Sequence, residues 1–133
     1  MSYDIEFPNP FWLGIKINET EDKLPSLGCE VALKLELPRG SFTYSAVSMW
    51  FECAILDEFL VQLKRLKKGR VGKAEFCDMG GELLLTITNQ EIQLSVHRMH
   101  GGMGSGYMEF TKEFDLELIN QYIAHIERFA KWW

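Results

Sequence analysis

The chain has 133 residues with a formal net charge of −5, a hydrophobic fraction of 47% and a charged fraction of 25%. This length and composition predict a single folded domain over residues 1–133 and exclude an intrinsically disordered chain. The negative charge argues against a nonspecific nucleic-acid binder, because such binding depends on Lys and Arg neutralising phosphates.

The expected compartment is the cytoplasm. The N-terminus has no basic segment followed by an apolar run, so no signal peptide is predicted. No apolar stretch approaches the roughly 20 residues that a membrane-spanning helix needs. Cys29, Cys53 and Cys77 are odd in number and widely spaced, which favours buried free thiols in a reducing compartment over a disulfide framework.

The first third of the chain contains two predicted strands. Residues 1–11 carry two prolines and should be irregular or a short edge strand. Alternating residues predict a strand at 12–18, followed by a polar, acidic loop at 18–28. Residues 29–37 then alternate apolar and polar side chains, which predicts a half-buried strand.

A further strand is predicted at 42–53, after a hairpin-like turn at 38–41. Alternation places its side chains on two faces, with Val47, Met49, Phe51 and Cys53 on one and Phe42, Tyr44, Ala46 and Trp50 on the other. Both faces are rather apolar, so this strand should be central in its sheet.

An amphipathic helix is predicted directly after this strand. Apolar residues recur at intervals of three and four at Leu56, Phe59, Leu60, Leu63 and Leu66. The basic run that follows fits the last turn of a helix, where cations interact favourably with the helix dipole, better than it fits a phosphate-binding patch.

Short strands are predicted at 72–78, 82–88 and 91–97, and their even spacing is typical of an antiparallel meander. A glycine-rich loop at 98–106 leads to a last strand at 107–111. Asp115 is a suitable N-cap for a final amphipathic helix.

The pattern as a whole predicts an α+β fold. We expect a curved antiparallel sheet of about six strands with two helices, one after the third strand and one at the C-terminus. The first helix should cover one face of the sheet.

No group of residues predicts catalysis, a metal site or a cofactor. His97 and His100 are spaced as a possible ligand pair, but the cysteines lack the spacing of a structural zinc site, so surface histidines are the better interpretation. Cys53 and Cys77 lie among apolar neighbours and have no adjacent base. The glycine-rich loop joins two strands and lacks the lysine of a phosphate-binding loop.

Two sets of residues are candidates for binding. Residues 1–66 hold ten Asp and Glu against six Lys and Arg, a net charge of −4, so an acidic surface should draw on this half. The candidate partner-binding residues are Glu19, Glu21, Asp22, Glu30, Trp12, Trp132 and Trp133, and Glu21, Asp22 and Glu30 are expected on an exposed acidic face. The candidate ligand pocket, on the concave face of the sheet, comprises Phe42, Tyr44, Trp50 and His97.

The order of elements from residue 29 to residue 130 resembles the WapI-like bacterial immunity proteins and their relatives. The resemblance is carried by 42–66, with Leu56, Phe59 and Leu63 in a Leu-x-x-Phe-x-x-x-Leu helix pattern, and continues through 72–76, 83–87 and the glycine-rich loop into 115–129. It implies a protein that binds and neutralises a cognate toxin domain in the cytoplasm. The family has no catalytic motif to transfer, and residues 1–28 have no counterpart in the pattern.

The leading hypothesis is therefore a non-enzymatic immunity-type protein whose partner is a toxin, with no nucleic acid, membrane or cofactor involved. The alternative is a small-molecule binding module or a cryptic enzyme that uses the concave face of the sheet. A third interpretation is a structural subunit, which an apolar patch around Trp132 and Trp133 would support. The oligomeric state is left open.

Overall fold

A computed structural model describes residues 3–69, 71–99, 105–129 and 131–133 of the chain. Its elements are β1 (Ile5–Phe7), β2 (Trp12–Glu21), β3 (Ser26–Leu37), β4 (Gly40–Glu52), α1 (Cys53–Gly69), β5 (Lys73–Cys77), β6 (Leu83–Thr88), β7 (Glu91–Met99), β8 (Ser105–Glu113) and α2 (Leu116–Arg128). His100, considered above with His97 as a possible ligand pair, lies outside the described residues. So do the glycines at 101, 102 and 104 of the predicted loop.

The strands form two antiparallel four-stranded sheets, with orders β1-β2-β3-β4 (sheet A) and β5-β6-β7-β8 (sheet B). The predicted α+β class, antiparallel pairing and two helices are confirmed. The prediction of one sheet with about six strands is wrong, and the first helix follows the fourth strand, not the third. The strand predicted to be central, β4, is an edge strand of sheet A. A short N-terminal strand, in which Ile5 pairs with Ile15, completes sheet A, and the 17-residue α1 separates the two meanders.

The acidic loop predicted at 18–28 consists mainly of strand. β2 continues to Glu21 and β3 begins at Ser26, and these two residues are paired. A register shift between Ile17 and Glu19 interrupts the alternation, so the sequence pattern there loses its period of two. In the same way, β7 and β8 extend the ladder into the predicted glycine-rich loop, because Arg98 pairs with Gly106.

A β-bulge also corrects the predicted faces of β4. Val31 pairs with Ala46 and Cys29 pairs with Met49, so three steps along β4 match two along β3. Ala46 and Met49 are therefore both buried, although strict alternation assigns them to opposite faces. Val47, predicted to share a face with Met49, is 79% exposed.

Helix α1 begins without a connector. The Cys53 N–H donates a hydrogen bond to the Pro25 carbonyl at 2.8 Å, which ties the start of the helix to the β2–β3 turn. The predicted apolar stripe is confirmed at Leu56, Phe59, Leu63 and Leu66, which are buried.

Helix α2 begins at the predicted N-cap. The Asp115 carboxylate accepts a hydrogen bond from the Glu117 N–H at 3.0 Å, and this satisfies a donor that the helix leaves free. The Tyr122 hydroxyl donates to the Asn9 carbonyl at 2.7 Å, which fixes the helix against the N-terminal segment. Within the described residues, neither helix is long and apolar enough to cross a lipid bilayer.

An aromatic cluster joins the two sheets and the two helices. Phe51 of β4 stacks on Phe76 of β5, with ring centroids 4.9 Å apart and an interplanar angle of 12°. Phe59 of α1 lies 5.4 Å from the Phe76 ring. Phe7 of β1 lies 4.7 Å from Tyr122 of α2 and also contacts the Phe59 and Phe76 rings edge-on. These contacts place the hydrophobic core between the sheets.

Truncation of Phe59 should remove the contact between α1 and this cluster. We expect Phe59→Ala to lower the free energy of unfolding by about 3–5 kcal/mol, because a fully buried aromatic side chain leaves a cavity. Val61→Ala, at an exposed position of the same helix, should change it by less than about 0.5 kcal/mol. Urea unfolding measures both values, and equal effects would contradict the packing described above.

Candidate binding surface

An open groove of about 570 Å³ lies between the β2–β3 turn, the bulged part of β4 and the β5–β6 turn. We call it the acidic groove. It is lined by Glu21, Leu24, Ser26, Ser48, Met49, Trp50, Asp78, Met79, Gly80 and Glu82. Three segments that are distant in sequence thus meet at one surface.

The β5–β6 turn is held rigidly at one side of the groove. The buried Asp78 carboxylate accepts hydrogen bonds from the Leu83 N–H at 2.9 Å and the Gly80 N–H at 3.2 Å. Gly81 has a φ of +73°, which glycine adopts without strain. The Met79 N–H donates to the Trp50 carbonyl at 2.7 Å, so the turn is attached directly to β4.

Trp50 forms an apolar part of the groove. Its indole lies against Gly28, the residue paired with it on β3, and a Cβ atom at Gly28 would come within 2.7 Å of the ring. Only glycine allows this close approach, and the ring in turn covers the exposed backbone. The half-buried Trp50 is thus held in one orientation.

Carboxylates flank Trp50 on the outer face of sheet A. Glu19 pairs with Gly28, on the opposite side from Trp50, and the next row across the sheet is Glu21, Ser26 and Glu52. None of the described lining residues of the groove is Lys or Arg. Clustered like charges raise the local concentration of a cationic partner.

The predicted exposure of Glu21 and Asp22 is therefore observed, and both lie at the β2–β3 turn. Sequence reasoning missed Glu52, Leu24 and Met79. Leu24 is 50% exposed and Met79 is 51% exposed, so apolar side chains stand within the acidic surroundings. Only the strand register and the turn geometry bring these residues to Glu21.

A hydrogen-bonded bridge joins Glu82 of the groove to Tyr44 and Arg98. The Tyr44 hydroxyl donates to Glu82 Oε2 at 3.0 Å, and Arg98 Nη1 lies 3.7 Å from the same oxygen. Burial raises the pKa of Tyr44, which keeps its hydroxyl protonated as a donor. The bridge links sheet A to sheet B.

Beyond this bridge lies a smaller crevice of about 160 Å³. It opens between β4 and the facing ends of β7 and β8. Its lining is mainly apolar and consists of Leu33, Phe42, Thr43, Tyr44, Val96, Arg98, Gly106, Tyr107 and Met108.

The structure brings together only two of the four predicted pocket residues. Phe42 and Tyr44 line the crevice, whereas Trp50 lies beyond the bulge in the acidic groove. His97 is exposed on the other face of sheet B, because its neighbour Val96 points inward, and its ring lies 6.1 Å from Tyr107. Alternation along β7 thus separates His97 from the crevice.

Trp12 does not reach the groove. Its indole N–H donates to Glu6 at 3.0 Å, the Tyr3 ring packs edge-on at 4.9 Å, and the Lys34 ammonium lies 5.9 Å from the ring centroid. Trp12 is nine residues from Glu21 along β2, which corresponds to about 30 Å in a strand.

Glu30 lies on the same outer face of sheet A, where it is half-buried and opposite Lys16. Its immediate surroundings are therefore mixed in charge. The prediction of an exposed acidic face holds for Glu21 and Asp22 but not for Glu30, because Glu30 is half-buried on β3, an inner strand with neighbours on both sides.

The C-terminal segment contacts α1 through Lys131 and Trp133. Asp57 accepts hydrogen bonds from Trp133 Nε1 and Lys131 Nζ, each at 2.8 Å. Partial burial raises the pKa of Asp57, but the hydrogen bonds from Lys131 and Trp133 outweigh it and hold the pKa below the usual value. Trp133 packs on the core, and Trp132 remains partly exposed beside it.

The three cysteines are free and unsuited to nucleophilic chemistry. Burial raises the pKa of Cys29 to about 12, and it also raises the pKa values of Cys53 and Cys77. The thiolate is the reactive form, so all three are poor nucleophiles near neutral pH. In the described part of the chain, no three His, Cys, Asp or Glu side chains are grouped so that they could hold a metal ion.

No protein-family model, curated protein or solved structure matches this chain. The resemblance to immunity proteins therefore rests on the sequence pattern alone. Function has to be inferred from the acidic groove and the crevice.

The contact between Asp57 and the C-terminal segment should be pH-dependent. At pH 7, Asp57→Asn should lower the free energy of unfolding by about 0.5–1 kcal/mol, a value limited by solvent screening. Because the folded-state pKa is depressed, this contribution is complete above the unfolded pKa of about 3.9 and is lost as the pH falls through the folded value.

Urea unfolding at neutral pH and near pH 3 measures this effect, with Glu58→Gln as the control at the adjacent exposed carboxylate. We expect the difference between wild type and Asp57→Asn to become smaller at the lower pH. A difference that stays constant with pH would contradict the role of the ionised Asp57.

Proposed function

We propose that this protein is a non-enzymatic, immunity-type protein that binds and neutralises a cognate toxin domain in the cytoplasm. The observation that carries this proposal is the acidic groove, where Leu24, Trp50 and Met79 lie among carboxylates. The resemblance of residues 29–130 to immunity proteins supports it, and the free thiols fit a reducing compartment.

The groove contains the two kinds of group that such binding requires. Its carboxylates attract a basic surface at a distance and increase the association rate. Its apolar side chains are removed from water on contact and slow dissociation, as tryptophan commonly does at interface hot spots. The Trp50 ring already packs on Gly28, so part of its side-chain entropy is lost before a partner binds.

Co-expression with the product of the adjacent gene tests the proposal. A stable stoichiometric complex that suppresses the toxicity of that product would support an immunity function. A non-toxic neighbour, or a toxic neighbour that neither binds this protein nor is inhibited by it, would overturn the proposal.

Charge reversal at Glu21 of the groove and at its neighbour Asp22 should slow association with this toxin. We expect Glu21→Lys combined with Asp22→Lys to reduce the association rate constant at least about tenfold at low salt, with a smaller effect at high salt because ions screen exposed charges. Surface plasmon resonance at two ionic strengths measures both rate constants.

The matched control is Glu91→Lys combined with Glu113→Lys. These exposed residues pair with each other at the far end of β7 and β8, and their reversal changes the net charge equally. We expect the control to retain most of the association rate. If the groove variant and the control variant slow association equally, only the net charge of the protein matters. If the groove variant leaves the association rate unchanged, the groove is not the contact surface.

The crevice supports a second candidate function, the binding of a small apolar molecule. Its volume of about 160 Å³ is close to that of engineered cavities of about 150 Å³ that bind benzene.

Saturation-transfer NMR with benzene and indole tests this function. A Cβ atom at Gly106 meets nothing within 4 Å, so Gly106→Leu should fill the space and abolish the signal. If wild type gives no saturation-transfer signal, or if Gly106→Leu leaves that signal unchanged, the crevice does not bind these molecules.

A further inference from the structure

The four outer edges of the two sheets are protected to different degrees. β1 is only three residues long and packs against α2. α1 lies along β5, where the side-chain Oε1 of Gln62 accepts a hydrogen bond from the Glu75 N–H at 2.9 Å. β8 is exposed, but it carries Glu109, Lys112 and Glu113. Short length, a covering helix and charged residues are the usual means of preventing edge-to-edge pairing.

β4 lacks these forms of protection. It is 13 residues long, and the sequence from Gly40 to Phe51 contains no charged residue and no proline. Within the described chain, no strand pairs with its outer edge. Phe42 is 54% exposed close to this edge. A long, uncharged edge strand of this kind tends to pair with another strand.

The backbone groups of β4 point in the direction that such pairing requires. The Trp50 carbonyl accepts the Met79 N–H, so the peptide groups of Trp50 face away from β3. Trp50 is paired with Gly28 of β3. Counted along β3, the residues paired with Thr43 and with Ser45 are each an even number of positions from Gly28. Peptide groups alternate in direction along an antiparallel strand, so those of Thr43 and Ser45 also face the free edge.

We propose that two copies of this chain pair antiparallel along β4, about a two-fold axis at Thr43. This register is self-complementary. It places Phe42 opposite Tyr44 of the second copy and Ser41 opposite Ser45 of the second copy, each contact occurring twice. Aromatic pairs and hydroxyl pairs across antiparallel strands are both favourable.

The charges near this axis permit the pairing. The closest charges on the outer face are Lys34 and Glu36 of β3, opposite in sign and one strand back from the edge. Lys34 lies three strand spacings, about 14 Å, from its counterpart in the second copy, beyond the Debye length of about 8 Å at physiological salt. Glu36 is level with Ser41, away from the axis, and therefore lies still farther from its counterpart.

The dimer leaves the acidic groove accessible. The bulge at Val47 and Ser48 interrupts the regular edge, so pairing is confined to the part of β4 before it. The groove lies beyond the bulge, at Ser48–Trp50. Self-association therefore does not depend on toxin binding, and either property can be tested without the other.

Sedimentation velocity of the full chain from about 5 to about 300 µM tests the dimer, because its population follows mass action. We expect the weight-average mass to rise toward twice 15.4 kDa. Thr43→Lys places two ammonium groups opposite each other at the axis, and this variant should remain monomeric over the whole range. Thr111→Lys is the matched control on the free edge of β8 and should dimerise like wild type.

Both substitutions are at exposed positions, and thermal unfolding monitored by circular dichroism verifies that each variant is folded. A second variant, Ser45→Pro, removes one edge N–H and should weaken the dimer more than Ser45→Ala, which keeps this N–H and removes only the hydroxyl contact. Wild type that stays monomeric to the highest concentration would overturn the proposal. Dimerisation of folded Thr43→Lys, or its loss in Thr111→Lys, would overturn it equally.

Discussion

The stacking of Phe51 on Phe76 is the contact on which the binding surface depends. These two rings join β4 of sheet A to β5 of sheet B, and Phe59 of α1 packs against the Phe76 ring. Because neighbouring residues of a strand face opposite sides, burial of Phe51 directs Trp50 away from the core. The Trp50 carbonyl then holds the β5–β6 turn through the Met79 N–H. The core that joins the sheets therefore also sets the position of the groove.

The bulge in β4 divides this strand into two parts with different properties. Before the bulge, the edge is regular and uncharged, and it borders the crevice at Phe42 and Tyr44. After the bulge, the strand contributes Trp50 to a groove lined with carboxylates. Without the extra residue, Ala46 and Met49 would point to opposite faces and one of them would leave the core. One inserted residue thus gives a single strand both the uncharged edge proposed to pair with a second copy and the groove proposed to bind a different partner.

Local patterns were sufficient to predict both helices and most strands. The stripe from Leu56 to Leu66 and the N-cap at Asp115 are signals that nearby residues determine. The predictions of an acidic loop and of the faces of β4 were wrong at the two register shifts. A bulge breaks the period of two in the side-chain pattern without changing the composition. The separation into two sheets depends on pairing between distant strands.

At the acidic groove and its surroundings, Glu21 and Asp22 were predicted from charge. Glu52, Leu24 and Met79 were not predicted, because only the folded register brings them together.

Hydrogen–deuterium exchange of the protein, alone and in complex with the proposed toxin partner, tests the central claim most directly. If the acidic groove is the contact surface, the complex should show slower exchange in three separate segments at once, 20–26, 48–51 and 78–83. The outer face of sheet B, at 93–97 and 107–111, should exchange equally in both states. Protection confined to sheet B or to α2, with the three groove segments unchanged, would contradict the account.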